Sequence, residues 1–235
     1  MIRVIAFDAD DTLWHNEHYF RDAEASFRQM LTAYHDEAWI QERLYASEMR
    51  NLGHFGYGVK SFVLSMIETA IELTEGRVSG PEIQAIIELG KNMLGHPVEM
   101  LPHVVETLAA LQDRYRLMLI TKGDLLDQEA KLARSGLDRY FSAVEVVSQK
   151  DEAIYRAILA RHAIDPAEFL MIGNSVKSDV LPAVSLGARA VHVPYITTWI
   201  HEHVEDVDTT HFTTLEHLGL LPEWLANLES PTKED

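Results

Sequence analysis

The chain has 235 residues, contains no cysteine and carries a formal net charge of -17 at pH 7. Without cysteine it cannot form disulfides, use a thiolate in catalysis, or bind zinc or an iron–sulfur cluster through sulfur. The acidic surface argues against nucleic acid and anionic membranes as partners, because like charges repel.

The composition, with 47% hydrophobic and 24% charged residues, is that of an ordinary globular protein. No apolar stretch is long enough to span a membrane, and the N-terminal one is too short for the core of a signal peptide. We therefore expect a cytoplasmic protein without a membrane partner. The sequence leaves open whether it is a monomer or a homodimer.

Five short apolar runs predict the strands of a buried sheet, at 4–7, 117–120, 144–147, 169–172 and 190–193. Helical patterns separate the later runs, and strands that alternate with helices indicate a parallel sheet covered on both faces. The predicted fold class is therefore α/β, with a Rossmann-like parallel sheet flanked by helices. The acidic C-terminal stretch 229–235 is expected to fray.

A different pattern lies between the first and second predicted strands. Apolar residues recur there at helical spacing in three stripes, at 27–34, 59–70 and 83–94. A period near 3.6 without a convincing strand predicts an inserted all-helical cap domain at 15–96. The Rossmann-like core would then comprise 1–14 and 97–235.

The most informative motif follows the first strand and reads Asp8-Ala9-Asp10-Asp11-Thr12. Three carboxylates crowd the end of a buried strand, which is where ligands bind in open parallel sheets. Such crowding is unfavourable unless a cation or proton relieves it. Mg2+ prefers carboxylate and carbonyl oxygens, so the motif predicts a magnesium site.

The ends of the later strands add a hydroxyl, two cations, a turn glycine and two side chains with metal-binding oxygens: Thr121, Lys122, Lys150, Gly123, Asn174 and Asp179. A hydroxyl followed by a glycine turn can hold a phosphoryl oxygen through the side chain and backbone N–H groups. The carboxyl ends of parallel strands lie at one edge of a sheet, so all these groups are expected at one site.

These motifs resemble those of the haloacid dehalogenase-like hydrolase superfamily, in the phosphatase branch with a helical cap inserted after the first strand. The matching positions are Asp8-x-Asp10-x-Thr12 for the first motif, Thr121 for the second, Lys150 for the third, and Gly173-Asn174 with Asp179 for the fourth. The resemblance extends from Val4 to about Val193, with the cap alignable only as helices.

The resemblance implies a Mg2+-dependent phosphatase that acts on a small phosphorylated metabolite. Asp8 would form an aspartyl-phosphate, while Asp10 would protonate the leaving oxygen and then activate water. Thr121 and Lys150 would neutralise the charge of the phosphoryl group, which Lys122 and Gly123 would also contact. The metal would be bound by Asp8, the backbone carbonyl of Asp10, Asp179 and Asn174.

Two positions depart from the family pattern. Asn174 stands where the fourth motif usually has aspartate, which removes one negative charge near the metal. Asp151 follows Lys150 where relatives often carry proline. Lys122 and Lys177 are therefore the alternative cations for the role assigned to Lys150.

Other functions compete with phosphate hydrolysis. Dehalogenases of this superfamily lack the acid two residues after the nucleophile, so Asp10 favours phosphate chemistry. A phosphomutase would use the same residues around the nucleophile. A phospho-accepting signalling or binding module is a further alternative, although receiver domains lack a large helical insertion after the first strand.

The glycine-rich stretch around Gly53–Gly58 is predicted to be a loop between two cap helices. In capped relatives, such a loop can close over the cleft and select the substrate. His54, Tyr57 and Lys60 are therefore candidate substrate-binding residues. The alternative interpretation is a polar loop that contacts no substrate.

Overall fold

The computed structural model of the protein describes residues 1–197, 199–204 and 208–229. The acidic stretch expected to fray lies, apart from Glu229, outside the described residues. The chain clusters into two compact units. The first comprises Met1–His15, Val98–Lys122 and Lys131–Asp235, and the second comprises Asn16–Pro97 and Gly123–Ala130.

The described part of the chain forms one six-stranded sheet in the first unit. Its strands are β1 (Val4–Phe7), β2 (Arg116–Lys122), β3 (Ala143–Val147), β4 (Phe169–Gly173), β5 (Arg189–His192) and β6 (Thr213–Thr214). The strand order is β3-β2-β1-β4-β5-β6, and every pair of neighbours is parallel. The strand β6 is not among the predicted ones, because two residues are too few to show a period.

Nine α-helices lie in the described residues. They are α1 (Glu17–Leu31), α2 (Glu37–Phe55), α3 (Val59–Leu73), α4 (Gly80–Gly95), α5 (Val104–Leu111), α6 (Leu125–Ser135), α7 (Glu152–Arg161), α8 (Leu181–Ser185) and α9 (Leu221–Glu229). None of them combines the length and the apolar character needed to cross a membrane.

The sheet is buried on both faces because successive side chains of each strand point to opposite sides. Ile5 and Phe7 belong to one apolar core, whereas Val4 and Ala6 belong to the other. Helices α5 and α9 contribute to the first core, and α7 and α8 contribute to the second. This arrangement confirms the predicted α/β, Rossmann-like fold class with its helical insertion.

The register of the central strands places the candidate nucleophile. Phe7 is paired with Leu119 of β2 and with Ile172 of β4, so the residue that follows β1 lies between the carboxyl ends of two neighbouring strands. The backbone N–H of Asp8 extends the ladder by donating to the Ile172 carbonyl at 2.8 Å. Asp8 therefore emerges at the centre of the sheet edge.

The second unit contains α1 to α4 and has its own apolar core, which includes Phe27, Leu44, Met66 and Ile86. The fourth helix begins with a capping box, in which Ser79 and Glu82 satisfy each other's backbone N–H groups. The domain boundaries predicted above, 1–14 with 97–235 and 15–96, stay a prediction.

The loop predicted around Gly53–Gly58 is shorter than expected, because α2 continues to Phe55 and only residues 56–58 separate it from α3. His54 lies in the last turn of α2 and Lys60 in the first turn of α3, with Tyr57 between the two helices. The periodicity of α2 was obscured because several of its buried positions are polar: Ser47, Glu48 and Asn51. Apolar spacing alone cannot reveal a helix whose buried face carries such residues.

Candidate active site

The nucleophile candidate Asp8 is buried at the carboxyl end of β1, with 6% of its surface exposed. The Thr12 hydroxyl donates to Asp8 Oδ2 at 2.9 Å, and the Lys150 ammonium donates to Asp8 Oδ1. Thr12 can reach Asp8 because the chain after Ala9 forms a tight turn, in which the Leu13 N–H donates to the Ala9 carbonyl at 2.8 Å. Each carboxylate oxygen of Asp8 therefore has a fixed donor.

Lys150 joins the first and fourth motifs. Its ammonium also donates to Asp179 Oδ1 at 2.7 Å, and all three side chains are buried. Burial alone would lower the pKa of Lys150, but the charges of Asp179 and Asp8 outweigh burial and raise that pKa. The structure thus brings together the predicted residues Asp8, Lys150 and Asp179, which are distant in sequence.

The surroundings of Asp8 disfavour the charged form of its carboxyl group. Burial raises the pKa of Asp8 to about 7, Lys150 opposes the rise, and Asp179 and Asp10 add to it. One lysine therefore does not fully compensate the buried negative charge. A divalent cation close to Asp8 would favour the carboxylate form.

The fourth motif is shaped by a short π-helical turn, Val176–Val180, that begins directly after Ser175. The Ser175 N–H donates to Asp179 Oδ2 at 3.0 Å, so both oxygens of Asp179 accept hydrogen bonds. The turn also requires a glycine before it, because a Cβ on Gly173 would lie 2.1 Å from Asp179 Oδ2. Gly173 therefore allows the buried carboxylate to approach the backbone of β4.

Oxygen atoms suited to a hard cation converge beside Asp8. The terminal amide atom of Asn174 that faces Thr12 lies 3.3 Å from both Asp8 Oδ2 and the Asp10 carbonyl oxygen. An amide nitrogen at that position donates to these acceptors, whereas an amide oxygen there accepts from the Thr12 hydroxyl and forms a group of three oxygens with Asp8 and the Asp10 carbonyl. The donor set of Asp8, the Asp10 carbonyl and Asn174 therefore fits Mg2+.

The carboxylate of Asp10 points elsewhere. Its Oδ1 accepts from the Trp14 indole N–H at 2.7 Å and from the Lys131 ammonium at 3.0 Å. The backbone carbonyl oxygen of Asp10, by contrast, lies 3.3 Å from the terminal amide atom of Asn174. Across the described ranges, no three His, Asp or Glu side chains are arranged to hold a metal ion by themselves.

The other predicted phosphate-binding residues occupy the end of β2 and the turn after it. Thr121 is buried, and its hydroxyl lies 3.5 Å from the Lys122 carbonyl oxygen. Gly123 has a φ of +139°, a backbone conformation that side chains rarely adopt, so the turn depends on glycine. In the helical unit, Lys60 pairs with Asp124 at 2.9 Å, and the roles assigned to His54, Tyr57 and Lys60 stay predictions.

The two alternative cations make different contacts from Lys150. The Lys122 ammonium donates to Glu202, and the Lys177 ammonium donates to the His201 carbonyl at 2.7 Å. Asp151 is the N-cap of α7, with its side chain accepting from the Ile154 N–H at 2.9 Å. This cap explains the departure from proline, since aspartate satisfies a helix N–H that would otherwise lack a partner.

Comparison with known proteins agrees with this geometry. The family profile for haloacid dehalogenase-like hydrolase matches residues 2–187, which is most of the chain. The chain belongs to this family. A crystal structure of a haloacid dehalogenase-like family hydrolase from Xanthomonas campestris is 42% identical, with a TM-score of 0.86, and the match covers 97% of this chain and 91% of that one.

Curated relatives of this hydrolase include proteins named as phosphatases. The glyceraldehyde 3-phosphate phosphatase of Methanothermobacter thermautotrophicus is 27% identical over 87% of this chain and 92% of the relative. The human N-acylneuraminate-9-phosphatase is 24% identical over 86% of this chain and 84% of the relative. The predicted family and the predicted enzyme class, a phosphoric monoester hydrolase, are both confirmed.

Sequence reasoning missed several residues of the hydrolase that contact its candidate catalytic groups. Thr12 was noted only as part of the first motif, although it contacts Asp8 directly. Trp14 and Lys131 contact Asp10, and Glu202 contacts Lys122. For Trp14, the spacing of four residues from Asp10 was a usable signal, whereas Lys131 and Glu202 are distant in sequence from their partners.

Proposed function

We propose that this hydrolase is a Mg2+-dependent phosphatase that cleaves a small phosphomonoester through a phosphorylated Asp8. The observation that carries the proposal is the buried trio of Asp8, Lys150 and Asp179 at the carboxyl end of the central strand. A carboxylate held between two fixed donors at a sheet edge is suited to nucleophilic attack on phosphorus. We place the enzyme in the cytoplasm.

In the first step, an oxygen of Asp8 attacks phosphorus and the bond from phosphorus to the leaving oxygen breaks. Asp10 donates a proton to that leaving oxygen, which requires its carboxyl to turn away from Trp14 and Lys131. In the second step, water attacks the phosphorus of the aspartyl-phosphate while Asp10 accepts a proton from the water. The bond from phosphorus to Asp8 then breaks, and phosphate is released.

Lys150 compensates negative charge at Asp8 throughout both steps. Thr121 and Lys122, at the end of β2, are the proposed contacts of the transferring phosphoryl group, together with the backbone at Gly123. Mg2+ would be bound by Asp8, the Asp10 carbonyl, Asp179 and Asn174, and it would stabilise negative charge on phosphoryl oxygens.

Several phosphorylated metabolites are reasonable substrates. The relatives named above act, by their names, on glyceraldehyde 3-phosphate and on N-acylneuraminate 9-phosphate. We propose a substrate of the same class, a small phosphorylated sugar or related metabolite. The acidic chain, with its net charge of -17, agrees with a small substrate and not with nucleic acid.

Released phosphate tests the proposal. The wild-type enzyme is mixed with p-nitrophenyl phosphate and with a panel of phosphorylated metabolites that includes glyceraldehyde 3-phosphate and N-acylneuraminate 9-phosphate. Each mixture is prepared once with Mg2+ and once with excess chelator. We expect phosphate release that needs Mg2+ and is abolished by Asp8→Asn. The matched control is Asp113→Asn, which changes an exposed aspartate and should leave turnover unchanged.

The same experiment separates a phosphatase from a phosphomutase. Phosphate release without any added sugar bisphosphate identifies a phosphatase. Exchange of phosphate between sugar positions, with little free phosphate, would identify a mutase instead. Activity that survives in the Asp8→Asn variant would contradict the proposal.

A further inference from the structure

A further carboxylate, largely buried, lies beside the candidate active site, on a segment that the sequence motifs do not include. Glu202 ends a short 3-10 turn, Ile200–Glu202, that follows β5, and its side chain is only 10% exposed. Its Oε1 accepts from the Lys122 ammonium. Its Oε2 accepts from the Ser175 hydroxyl and, at 2.6 Å, from the Ser178 hydroxyl. These three donors compensate the cost of burying the carboxylate.

The three donors come from the two strand ends on either side of the nucleophile. Lys122 is the last residue of β2, whereas Ser175 and Ser178 belong to the turn after β4. In the sheet, β2 and β4 are the two neighbours of β1. Glu202 therefore connects the loops that flank the end of the strand carrying Asp8.

The contact with Ser175 leads directly to Asp179. The Ser175 hydroxyl, which donates to Glu202, also accepts from the Ser178 N–H at 3.1 Å, and the Ser175 N–H donates to Asp179 Oδ2. One serine thus links Glu202 to the carboxylate that Lys150 contacts. Fixing Ser175 fixes the direction in which Asp179 presents its oxygens.

We propose that Glu202 is a positioning residue for phosphoryl transfer, which holds the end of β2 and the Asp179 turn at a fixed separation around Asp8. Through Ser175 it orients Asp179, and through its charge it holds the Lys122 ammonium at the end of β2. This role rests on the proposed function, because it concerns the same site. Glu202 itself touches neither the nucleophile nor the oxygen cluster beside Asn174.

The contacts of Glu202 favour its charged form. Burial alone would raise the pKa of Glu202, but the charge of Lys122 and the hydrogen bonds from Lys122, Ser175 and Ser178 outweigh burial and lower that pKa to about 2. Glu202 therefore carries its charge at neutral pH.

Glu202→Gln tests the role, because glutamine keeps the size of the side chain and loses its charge. We expect kcat for p-nitrophenyl phosphate to fall about 10- to 100-fold, the usual cost of losing a group that orients a metal or catalytic ligand. We also expect the dissociation constant for Mg2+, measured by calorimetry, to rise about tenfold. KM should change much less than kcat.

Two further variants separate positioning from general destabilisation. Glu216→Gln changes an exposed glutamate and should match the wild type in kcat and in Mg2+ affinity. Ser178→Ala removes one hydroxyl donor to Glu202 and keeps the charge, so it should lower kcat in the same direction by a smaller factor. The double variant Lys122→Met with Glu202→Gln should lower kcat by less than the product of the factors found for the two single variants. Both changes break the same contact.

The proposal is overturned if Glu202→Gln leaves both kcat and the Mg2+ dissociation constant at the wild-type values. It is also overturned if the variant lowers KM at unchanged kcat, since Glu202 would then compete with substrate for Lys122. A wild-type enzyme that releases no phosphate from any substrate would contradict the proposed function. Calorimetry with Mg2+ alone would still test the positioning role in that case.

Discussion

Glu48 of α2 is a buried acid without a compensating charge, and its replacement should stabilise the protein. Its surface is 9% exposed, and in the described ranges no cation lies within ion-pair distance of it. Burial raises the pKa of Glu48 to about 8, and the charges of Glu24 and Glu17 on α1 add to the rise. The nearby Arg21 and Arg28 are paired with Glu17 and Glu24 at 3.7 Å and 3.8 Å.

The pH dependence follows from the two pKa values. In the unfolded chain the Glu48 pKa is near its ordinary value of 4.5, and in the folded protein it is about 8. Below pH 4.5 Glu48 is protonated in both the folded and the unfolded state, so its ionisation does not change the free energy of unfolding. As pH rises from 4.5 to 8, the unfolded state ionises first, so the folded state loses stability, and the loss is complete above pH 8.

The stability lost through the ionisation of Glu48 has an upper bound of about 5 kcal/mol, because each pKa unit corresponds to about 1.4 kcal/mol. Relaxation of the helices and entry of water reduce it, as they do for most buried charges. We expect Glu48→Gln to raise the free energy of unfolding by about 1 to 3 kcal/mol at pH 8 and by less than about 1 kcal/mol at pH 5.

Urea unfolding at these two pH values measures the effect. Glu42→Gln is the matched control, since it changes an exposed glutamate of the same helix and should be neutral at both. The reasoning is refuted if the gain from Glu48→Gln is the same at both pH values, or if the variant is less stable than the wild type at pH 8.

Three substitutions at the candidate site should have separable effects. Gly173→Ala should lower Mg2+-dependent activity about tenfold or more, because the new methyl group displaces Asp179. Phosphate release over a Mg2+ titration measures this effect. Unchanged activity would contradict it. Lys150→Met should abolish turnover and lower the free energy of unfolding in urea at pH 8 by about 3 kcal/mol, because Asp8 and Asp179 lose their shared cation. A variant as stable as the wild type would contradict this. Asp10→Asn should give a burst of p-nitrophenol from p-nitrophenyl phosphate, because this leaving group needs no proton. It should give no burst of alcohol from an alkyl phosphate. Rapid-quench kinetics measures both, and equal bursts would argue against Asp10 as the general acid.

Much of the fold could be predicted because its signal is local. Five of the six strands contain a short, largely apolar run, and the stripes of α1, α3 and α4 have a clear helical period. The sequence does not indicate α2 as far as His54, because its buried face carries polar residues, of which Ser47 and Asn51 have partners on α3. Asn51, for example, donates to Ser65 Oγ at 3.1 Å, a contact that no apolar pattern can indicate.

The candidate site was predictable where a residue lies at the carboxyl end of a strand or in the loop that follows it. Asp8, Thr121, Lys150 and Asn174 could be placed at one sheet edge because parallel strands end there together. The orientation of Asp10 could not be predicted in this way, because its carboxylate is directed by Trp14 and Lys131 and not by the strand.

The role of Glu202 was also beyond sequence reasoning. It lies in an irregular segment, and its partners are separated from it by 24 to 80 positions. Only the folded chain brings these groups together.

Direct detection of a phosphorylated Asp8 is the most direct test of the mechanism. The enzyme is mixed with a hydrolysed substrate and Mg2+, quenched in acid within one turnover, digested and examined by mass spectrometry. The mechanism predicts a phosphoryl group on the peptide that contains Asp8, present in Asp10→Asn and absent in Asp8→Asn. Turnover to free phosphate with Asp8 never modified would contradict it.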